Sequence, residues 1–171
     1  MRHIRISAVA VAAIAALAGC RDSGPADNYA LDGRLVVFNY RVATARFLVN
    51  LKHLRTPSAG ETAIARFEDP SGGAPIELRE KIWATSPKTT FTTPPLRCIV
   101  KDRPYRVEIQ IVNGDGEVIQ NLETSVVSSQ DQTRFPDKPL VVGPFYTRNP
   151  EMKNRSAEDL AKAAREGCPS M

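Results

Sequence analysis

The sequence predicts a mainly β protein: a β-sandwich of about seven or eight strands with a short C-terminal α-helix. Short runs of β-branched and aromatic residues alternate with polar residues along most of the chain. Clusters of Gly, Pro, Asn and Asp separate these runs. A helical pattern occurs near the C-terminus. A small β-barrel is the alternative arrangement of the same strands.

The first strands follow from period-two alternation after Gly33. We expect strands at residues 35–42 and 47–51, a weaker one at residues 63–67, and a charged one at residues 76–83 that suits a sheet edge. The residues expected to share one face are Val36, Phe38, Tyr40 and Val42 in the first strand, and Phe47, Val49 and Leu51 in the second.

Prolines limit the next region. Residues 84–95 contain three prolines, which predicts a loop or an extended edge segment that crosses between the sheets. Residues 96–100 are expected to form a short strand that carries Cys98.

The clearest hairpin lies between Tyr105 and Val126. Apolar residues alternate up to Ile111, and residues 113–116 (Asn-Gly-Asp-Gly) reverse the chain. A two-residue loop at residues 114–115 or at residues 115–116 keeps the apolar residues on one face. The acidic residues here lack the ligand spacing of a calcium loop. The residues expected on the returning face are Val118, Leu122 and Val126.

The segment that enters this hairpin has a recognisable pattern. Residues 102–107 (Asp-Arg-Pro-Tyr-Arg-Val) resemble the turn into the sixth strand of fibronectin type III and immunoglobulin-like domains. In those domains a tyrosine packs at the corner. The resemblance implies an immunoglobulin-like sandwich with Tyr105 in that position.

The C-terminal region predicts a short strand and then the helix. Residues 140–142 are apolar and precede a Gly-Pro turn. Ser156 is the expected N-cap, residues 157–166 favour a helix, and Gly167 is the expected stop.

The N-terminus resembles a bacterial lipoprotein leader. Residues 1–5 are basic, and the apolar run that follows is shorter than the about 20 residues that a transmembrane helix needs. Residues 17–20 (Leu-Ala-Gly-Cys) resemble a lipobox. The resemblance implies cleavage before Cys20, acylation of its thiol and anchoring in a membrane. Arg21 is not the usual inner-membrane retention signal, which favours the outer membrane with the domain facing the periplasm.

These patterns divide the chain into four parts. Residues 1–19 are expected to be a cleaved signal peptide, and residues 20–32 the lipidated cysteine and its tether. Residues 33–146 are expected to form the sandwich, and residues 147–171 a C-terminal helical tail.

Two cysteines remain after lipidation, Cys98 and Cys168. In an exported protein such a pair predicts a disulfide, and two free buried thiols are the alternative.

The composition argues against several classes of function. The whole chain has 23 Lys+Arg and 19 Asp+Glu, and without Arg2 and Arg5 the net charge falls to about +2, which is no nucleic-acid signature. His53 is the only histidine beyond the leader, and no spacing suggests a metal site. We expect no cofactor, no catalytic residues and no enzymatic activity, since no base accompanies a nucleophile.

The sequence therefore favours a lipid-anchored cell-envelope protein that binds another envelope protein without catalysis. The alternative is a carbohydrate- or small-ligand-binding module, in which Trp83 and Phe91 form a stacking surface.

Overall fold

Two antiparallel sheets account for most of the fold in the computed structural model, which describes residues 27–169. One has the strand order β1-β2-β5 and the other β4-β3-β6-β7, and β8 and β9 form a separate two-stranded ribbon. The strands are β1 (Tyr29–Asn39), β2 (Thr44–His53), β3 (Thr62–Phe67), β4 (Ile76–Lys81), β5 (Lys88–Thr92), β6 (Pro104–Val112), β7 (Val118–Val127), β8 (Val141–Val142) and β9 (Thr147–Arg148). Two 3₁₀ turns, Gln132–Arg134 and Pro150–Met152, precede the helix α1 (Ala157–Arg165).

Apolar residues from both sheets meet in one core. The alternating residues of β2, Phe47, Val49 and Leu51, are fully buried, as predicted. The Phe47 ring lies 5.2 Å from that of Tyr105 and 6.5 Å from that of Phe67, both on the opposite sheet. The predicted β-sandwich is confirmed. Within residues 27–169 the two sheets do not close into the alternative small barrel.

The sandwich begins earlier than predicted. β1 starts at Tyr29, which is completely buried and precedes Gly33, the expected start of the domain. The first strand also ends earlier, at Asn39. Tyr40 and Val42 are exposed in the turn that follows, instead of lying on the inward face with Val36 and Phe38. The cause is a tight reversal between β1 and β2, which pair as far as Asn39 and Thr44.

The proline-containing region crosses between the sheets. β5 lies within it, at the edge of the three-stranded sheet, so the extended-edge alternative is right. The predicted strand at residues 96–100 is wrong, because Leu96 makes only an isolated bridge to Ala45. Cys98 has a φ of 65°, a left-handed conformation that strands do not contain.

The hairpin between β6 and β7 has the predicted inward faces except at Val118, and its turn differs from the predicted one. The Asn113 N–H donates to the Glu117 carbonyl at 2.9 Å, which closes a three-residue loop rather than a two-residue one. A bulge follows, because Ile111 pairs with Gln120 and Val112 with Val118. Val118 is therefore exposed instead of inward-facing.

The Tyr105 geometry matches the tyrosine corner of the fibronectin type III and immunoglobulin-like resemblance. Its hydroxyl accepts a hydrogen bond from the Val100 N–H at 2.8 Å and donates to the Cys98 carbonyl at 3.4 Å. A buried tyrosine that bonds back to the backbone a few residues upstream is the hallmark of that corner.

The C-terminal helix has the predicted caps. The Ser156 hydroxyl accepts from the Asp159 N–H at 3.1 Å, and the Asp159 carboxylate accepts from the Ser156 N–H at 3.1 Å, which forms a capping box. Gly167 has a φ of 76° just beyond the helix. β9 pairs with β8 across residue 147, the expected start of the C-terminal tail.

Replacement of a core residue in the hairpin tests this architecture. Ile109 is buried in β6, and Ile109→Ala should lower the free energy of unfolding by about 2–5 kcal/mol through lost apolar burial and a cavity. Denaturant melts with the disulfide intact measure this difference. The exposed hairpin residue Val118 provides the control, since Val118→Ala should change stability by less than about 0.5 kcal/mol. Equal effects of the two substitutions would contradict the assigned faces.

Candidate functional site

The predicted site residues fall in separate places. Cys20, the expected lipidation site, lies outside the described residues. Cys98 and Cys168 form the predicted disulfide, with their Cα atoms 5.4 Å apart and a sequence separation of 70. In the chain-entropy model a loop of this length corresponds to a stabilisation of about 4 kcal/mol.

The disulfide fixes α1 to the sandwich. The helix buries little apolar surface of its own, with Ala164 buried and Leu160 and Ala161 half-buried, and Ala157 is exposed. The Arg97 guanidinium lies 3.5 Å from the Ala163 carbonyl, where a cation suits the helix C-terminus. The covalent link therefore supplies attachment that packing alone provides only weakly.

An apolar cavity lies beside the disulfide, with a volume of about 260 Å³. Ile99, Val100 and Ala164 contribute to its wall, and Arg103 and Arg165 are among its polar neighbours. Pockets that hold drug-sized ligands usually measure about 300–1,000 Å³. This cavity is thus small for such a ligand, and we attribute it to imperfect packing between the helix and the corner.

The predicted stacking pair does not form. Trp83 is 58% exposed, and the Lys81 ammonium group lies 4.3 Å from its ring centroid. Phe91 is completely buried, and its ring lies 6.4 Å from that of Phe67 in the core. Because period-two alternation of β5 turns Phe91 inward, it cannot share an exposed surface with Trp83.

A buried polar cluster, which sequence analysis missed, closes the end of the sandwich where β1 starts. Glu61, only 1% exposed, accepts hydrogen bonds from the Tyr29 hydroxyl and, at 2.5 Å, from the Arg55 guanidinium. Arg55 also donates to the Asn28 side chain at 2.8 Å and lies over the Tyr29 ring. Burial without such partners would be costly, and here each carboxylate oxygen has one.

The ionisation of this cluster suits a structural role. Burial alone would raise the pKa of Glu61, but the hydrogen bonds from Arg55 and Tyr29 outweigh it and hold that pKa below its usual value. Burial, reinforced by the bond to Glu61, raises the pKa of Tyr29 well above its usual range. Glu61 is thus held as a buried anion with a hydrogen-bond partner on each oxygen, as suits a structural residue.

His53, the one histidine singled out in the sequence, lies next to this cluster. Its Nε2 is 2.9 Å from the Thr89 hydroxyl, and its ring packs edge-on against Tyr29 at 5.4 Å. Burial lowers the pKa of His53. The residue packs the junction of β2 and β5, so its position is that of a structural histidine.

The opposite end of the sandwich carries an exposed apolar surface, which we call the distal tip. Phe145 is 89% exposed and Tyr146 is 63% exposed, and both lie in the turn between β8 and β9. The Leu140 N–H donates to the Arg41 carbonyl at 3.1 Å, which holds this ribbon against the β1–β2 turn. The distal tip consists of Tyr40, Val42, Leu140, Val142, Phe145 and Tyr146.

The tip also carries positive charge. The Arg41 guanidinium lies 5.5 Å from the Tyr146 ring centroid, and the exposed Arg148 follows in β9. Sequence analysis missed this surface, although Gly143-Pro144 is followed directly by two aromatic residues. The signal available in the sequence was this pair of adjacent aromatic residues in a turn, because neighbouring side chains in a turn do not both point into the core.

Comparisons with known proteins leave the family open. No protein-family description matches the chain, and no curated protein is a detectable relative. Among solved structures, it resembles an FMN-binding β-glucuronidase from Facaelibacterium prausnitzii L2-6, with 11% identity and a TM-score of 0.39, over 59% of this chain and 15% of the other. It also resembles an endonuclease/exonuclease/phosphatase from Beutenbergia cavernae DSM 12333, with 14% identity and a TM-score of 0.29, over 56% of this chain and 27% of the other.

Residues 27–169 contain neither a metal-binding group of side chains nor a membrane-spanning helix. In this part of the chain, no three His, Cys, Asp or Glu side chains are grouped so that they could hold a metal ion. No helix in the same part is both long and apolar enough to cross a bilayer.

The polar cluster predicts a pH dependence of stability. The folded-state pKa of Glu61 is below its unfolded-state value, so ionised Glu61 adds stability above the unfolded-state pKa of about 4.3. That stability is lost as the pH falls through the folded-state pKa. Glu61→Gln should therefore lower the free energy of unfolding at pH 7. The decrease in this free energy between neutral and acidic pH should be smaller in the variant than in the unsubstituted protein. Denaturant melts across this pH range measure both effects.

An exposed carboxylate controls for the loss of one charge. Glu123→Gln, on the outer face of β7, should change stability at pH 7 by no more than about 0.5 kcal/mol. Identical acid profiles for Glu61→Gln and the unsubstituted protein would show that the cluster contributes nothing through ionisation.

Proposed function

We propose that this protein is a lipid-anchored component of the bacterial outer membrane, faces the periplasm and binds another envelope protein without catalysis. The observation that carries the proposal is the distal tip, where two neighbouring aromatic residues are exposed beside arginines. Exposed aromatic and arginine residues are the types most enriched in protein–protein interfaces and their energetic centres.

The position of the tip supports this role. The lipobox cysteine Cys20 is nine residues before Tyr29, where β1 begins. The 11 residues of β1 span roughly 35 Å from that end to the β1–β2 turn, which contributes Tyr40 and Val42 to the tip. An anchor at Cys20 would therefore present the tip on the side of the domain that faces away from the membrane.

Three of the four edges of the two large sheets are less suited to binding than the tip. β4, at one edge, carries Glu77, Arg79 and Lys81, and charged residues discourage strand addition. β1 and β7, at two other edges, cover each other. The Gln120 side chain bonds the backbone N–H and carbonyl of Tyr29, at 3.0 and 2.8 Å. We therefore propose side-chain recognition at the tip rather than strand addition.

Of the two residues expected to bind carbohydrate in the alternative function, only one is at the surface. Trp83 is exposed, whereas Phe91 is in the core, and Lys81 covers one face of the Trp83 ring. The tip has more exposed aromatic surface than this single ring, so protein binding is the function we favour.

Mass spectrometry tests the anchor. Protein extracted from membranes should have lost residues 1–19 and gained the mass of acyl chains on Cys20, because acylation precedes cleavage in lipoproteins. Cys20→Ala should retain the leader. An unmodified Met1 terminus in the membrane protein would contradict the proposal.

Site-specific photocrosslinking tests the tip. A photoreactive amino acid at position 145 should give one discrete adduct in intact cells, because this side chain is the most exposed of the large apolar residues in the described chain. The partner identified from that adduct should then bind the purified protein. Phe145→Ser should weaken this binding at least roughly tenfold, as expected for the loss of an aromatic interface anchor.

Val118 provides the control for the crosslinking and for the affinity measurement. It is an exposed apolar residue at the opposite end of the sandwich, so a crosslinker at position 118 should not give the same adduct. Val118→Ser should leave the affinity unchanged. An adduct at position 118 and none at position 145 would place the binding surface elsewhere.

A further inference from the structure

We propose that the end of the sandwich opposite the distal tip docks on anionic phospholipid headgroups. The docking surface, which we call the basal patch, consists of Lys52, Leu54, Lys81, Trp83 and Lys88. This proposal rests on the lipid anchoring proposed above, because the tether enters the domain at the same end.

Strand register brings the basal patch together. Lys52 at the end of β2 pairs with Lys88 at the start of β5. The Leu54 N–H donates to the carbonyl of Asn28, the residue before β1, at 2.9 Å. A turn after β4, in which the Ser86 N–H donates to the Trp83 carbonyl at 3.0 Å, leads directly into β5. All five residues thus lie at the base of the sandwich, with Lys52 and Lys88 on the outer face of the three-stranded sheet and Lys81 at the end of β4 in the other sheet.

The lysines of the patch lack acidic partners. Lys52, Lys81 and Lys88 form no ion pair with any residue in the described part of the chain. Lys52 and Lys88 are also directly opposite each other in the sheet, a like-charge arrangement that opposes folding. An anionic surface would relieve this repulsion.

The basic residues on the outer face of the four-stranded sheet show the contrast. Arg66 and Arg79 both pair with Glu77, and Arg106 pairs with Glu108 and Glu123. Positive charge there is neutralised within the protein. In the basal patch it remains available to a ligand.

The apolar residues of the patch suit a bilayer interface. Trp83 is 58% exposed and Leu54 is 50% exposed. Tryptophan favours the headgroup region, where an apolar ring and a polar N–H are both accommodated. Lysine extends its charge to phosphates while its methylenes contact apolar surface.

The geometry relative to the tether is compatible with docking. β5 is two strands from β1, so Lys88 lies roughly 10 Å across the sheet from the point where the tether enters. Asp27, Asp115 and Glu117 are at the same end, but on the side of β7. Asp27 contacts Gln120 of β7, and the other two acids are in the β6–β7 turn. The domain would therefore meet the membrane with its β4–β5 corner.

Trp83 makes the proposal directly measurable, because it is the only tryptophan in the chain. Acylated protein purified from membranes is reconstituted into vesicles of phosphatidylcholine alone or with phosphatidylglycerol, each with brominated acyl chains. In the anionic vesicles Trp83 emission should shift to shorter wavelength and be quenched by bromine. Both effects should be weaker in phosphatidylcholine and should decrease with added salt.

Charge-matched variants identify the surface. In anionic vesicles, Lys52→Gln/Lys88→Gln should lower the ratio of docked to undocked protein roughly tenfold or more, since two contacts with the anionic surface are lost. Lys101→Gln/Lys153→Gln removes the same charge from exposed positions away from the patch and should leave the quenching unchanged.

Three results would overturn the proposal. The first is equal Trp83 quenching in the two vesicle types, and the second is quenching by soluble iodide but not by brominated lipid. The third is a spectral shift with peptidoglycan fragments and none with lipid, which would assign Trp83 to glycan binding. Failure of the proposed lipid anchor can be distinguished from failure of the proposed docking surface. If the protein carries no acyl chains, it will not float with phosphatidylcholine vesicles. The difference between the two lysine double variants in anionic vesicles still tests the basal patch in that case.

Discussion

The contact of Phe47 with Tyr105 is the interaction on which most of the structure depends. It joins the two sheets, and it fixes the ring whose hydroxyl binds the backbone at Cys98 and Val100. That bond holds residues 98–100 in an irregular conformation, from which Cys98 reaches Cys168. The C-terminal helix is therefore positioned by a series of contacts that begins in the core.

The parts of the fold that follow from local pattern were predictable from sequence. Alternation placed Phe47, Val49 and Leu51 in the core, and capping chemistry placed Ser156 and Gly167 at the helix ends. The cysteine pair followed from counting, since the expected lipidation of Cys20 leaves two cysteines.

The rest depends on tertiary contacts that no local pattern reports. Tyr29 starts β1 because Glu61 and Gln120, distant in sequence, satisfy its hydroxyl and backbone. The positive φ of Cys98 is imposed by the corner and its disulfide, and short-range propensity predicted a strand there. The candidate sites were harder still, because the distal tip joins a turn after β1 to a ribbon about 100 residues later.

The extended backbone of β1 has a mechanical consequence. Its 11 residues run as one strand from the tether end of the sandwich to the β1–β2 turn, which contributes to the tip. If the chain is held at its N-terminal tether while a partner pulls on that turn, the load passes along the covalent backbone of a strand that is already close to its full length. The hydrogen bonds to β2 are then not the element that carries the force, and the domain should resist extension between its two ends.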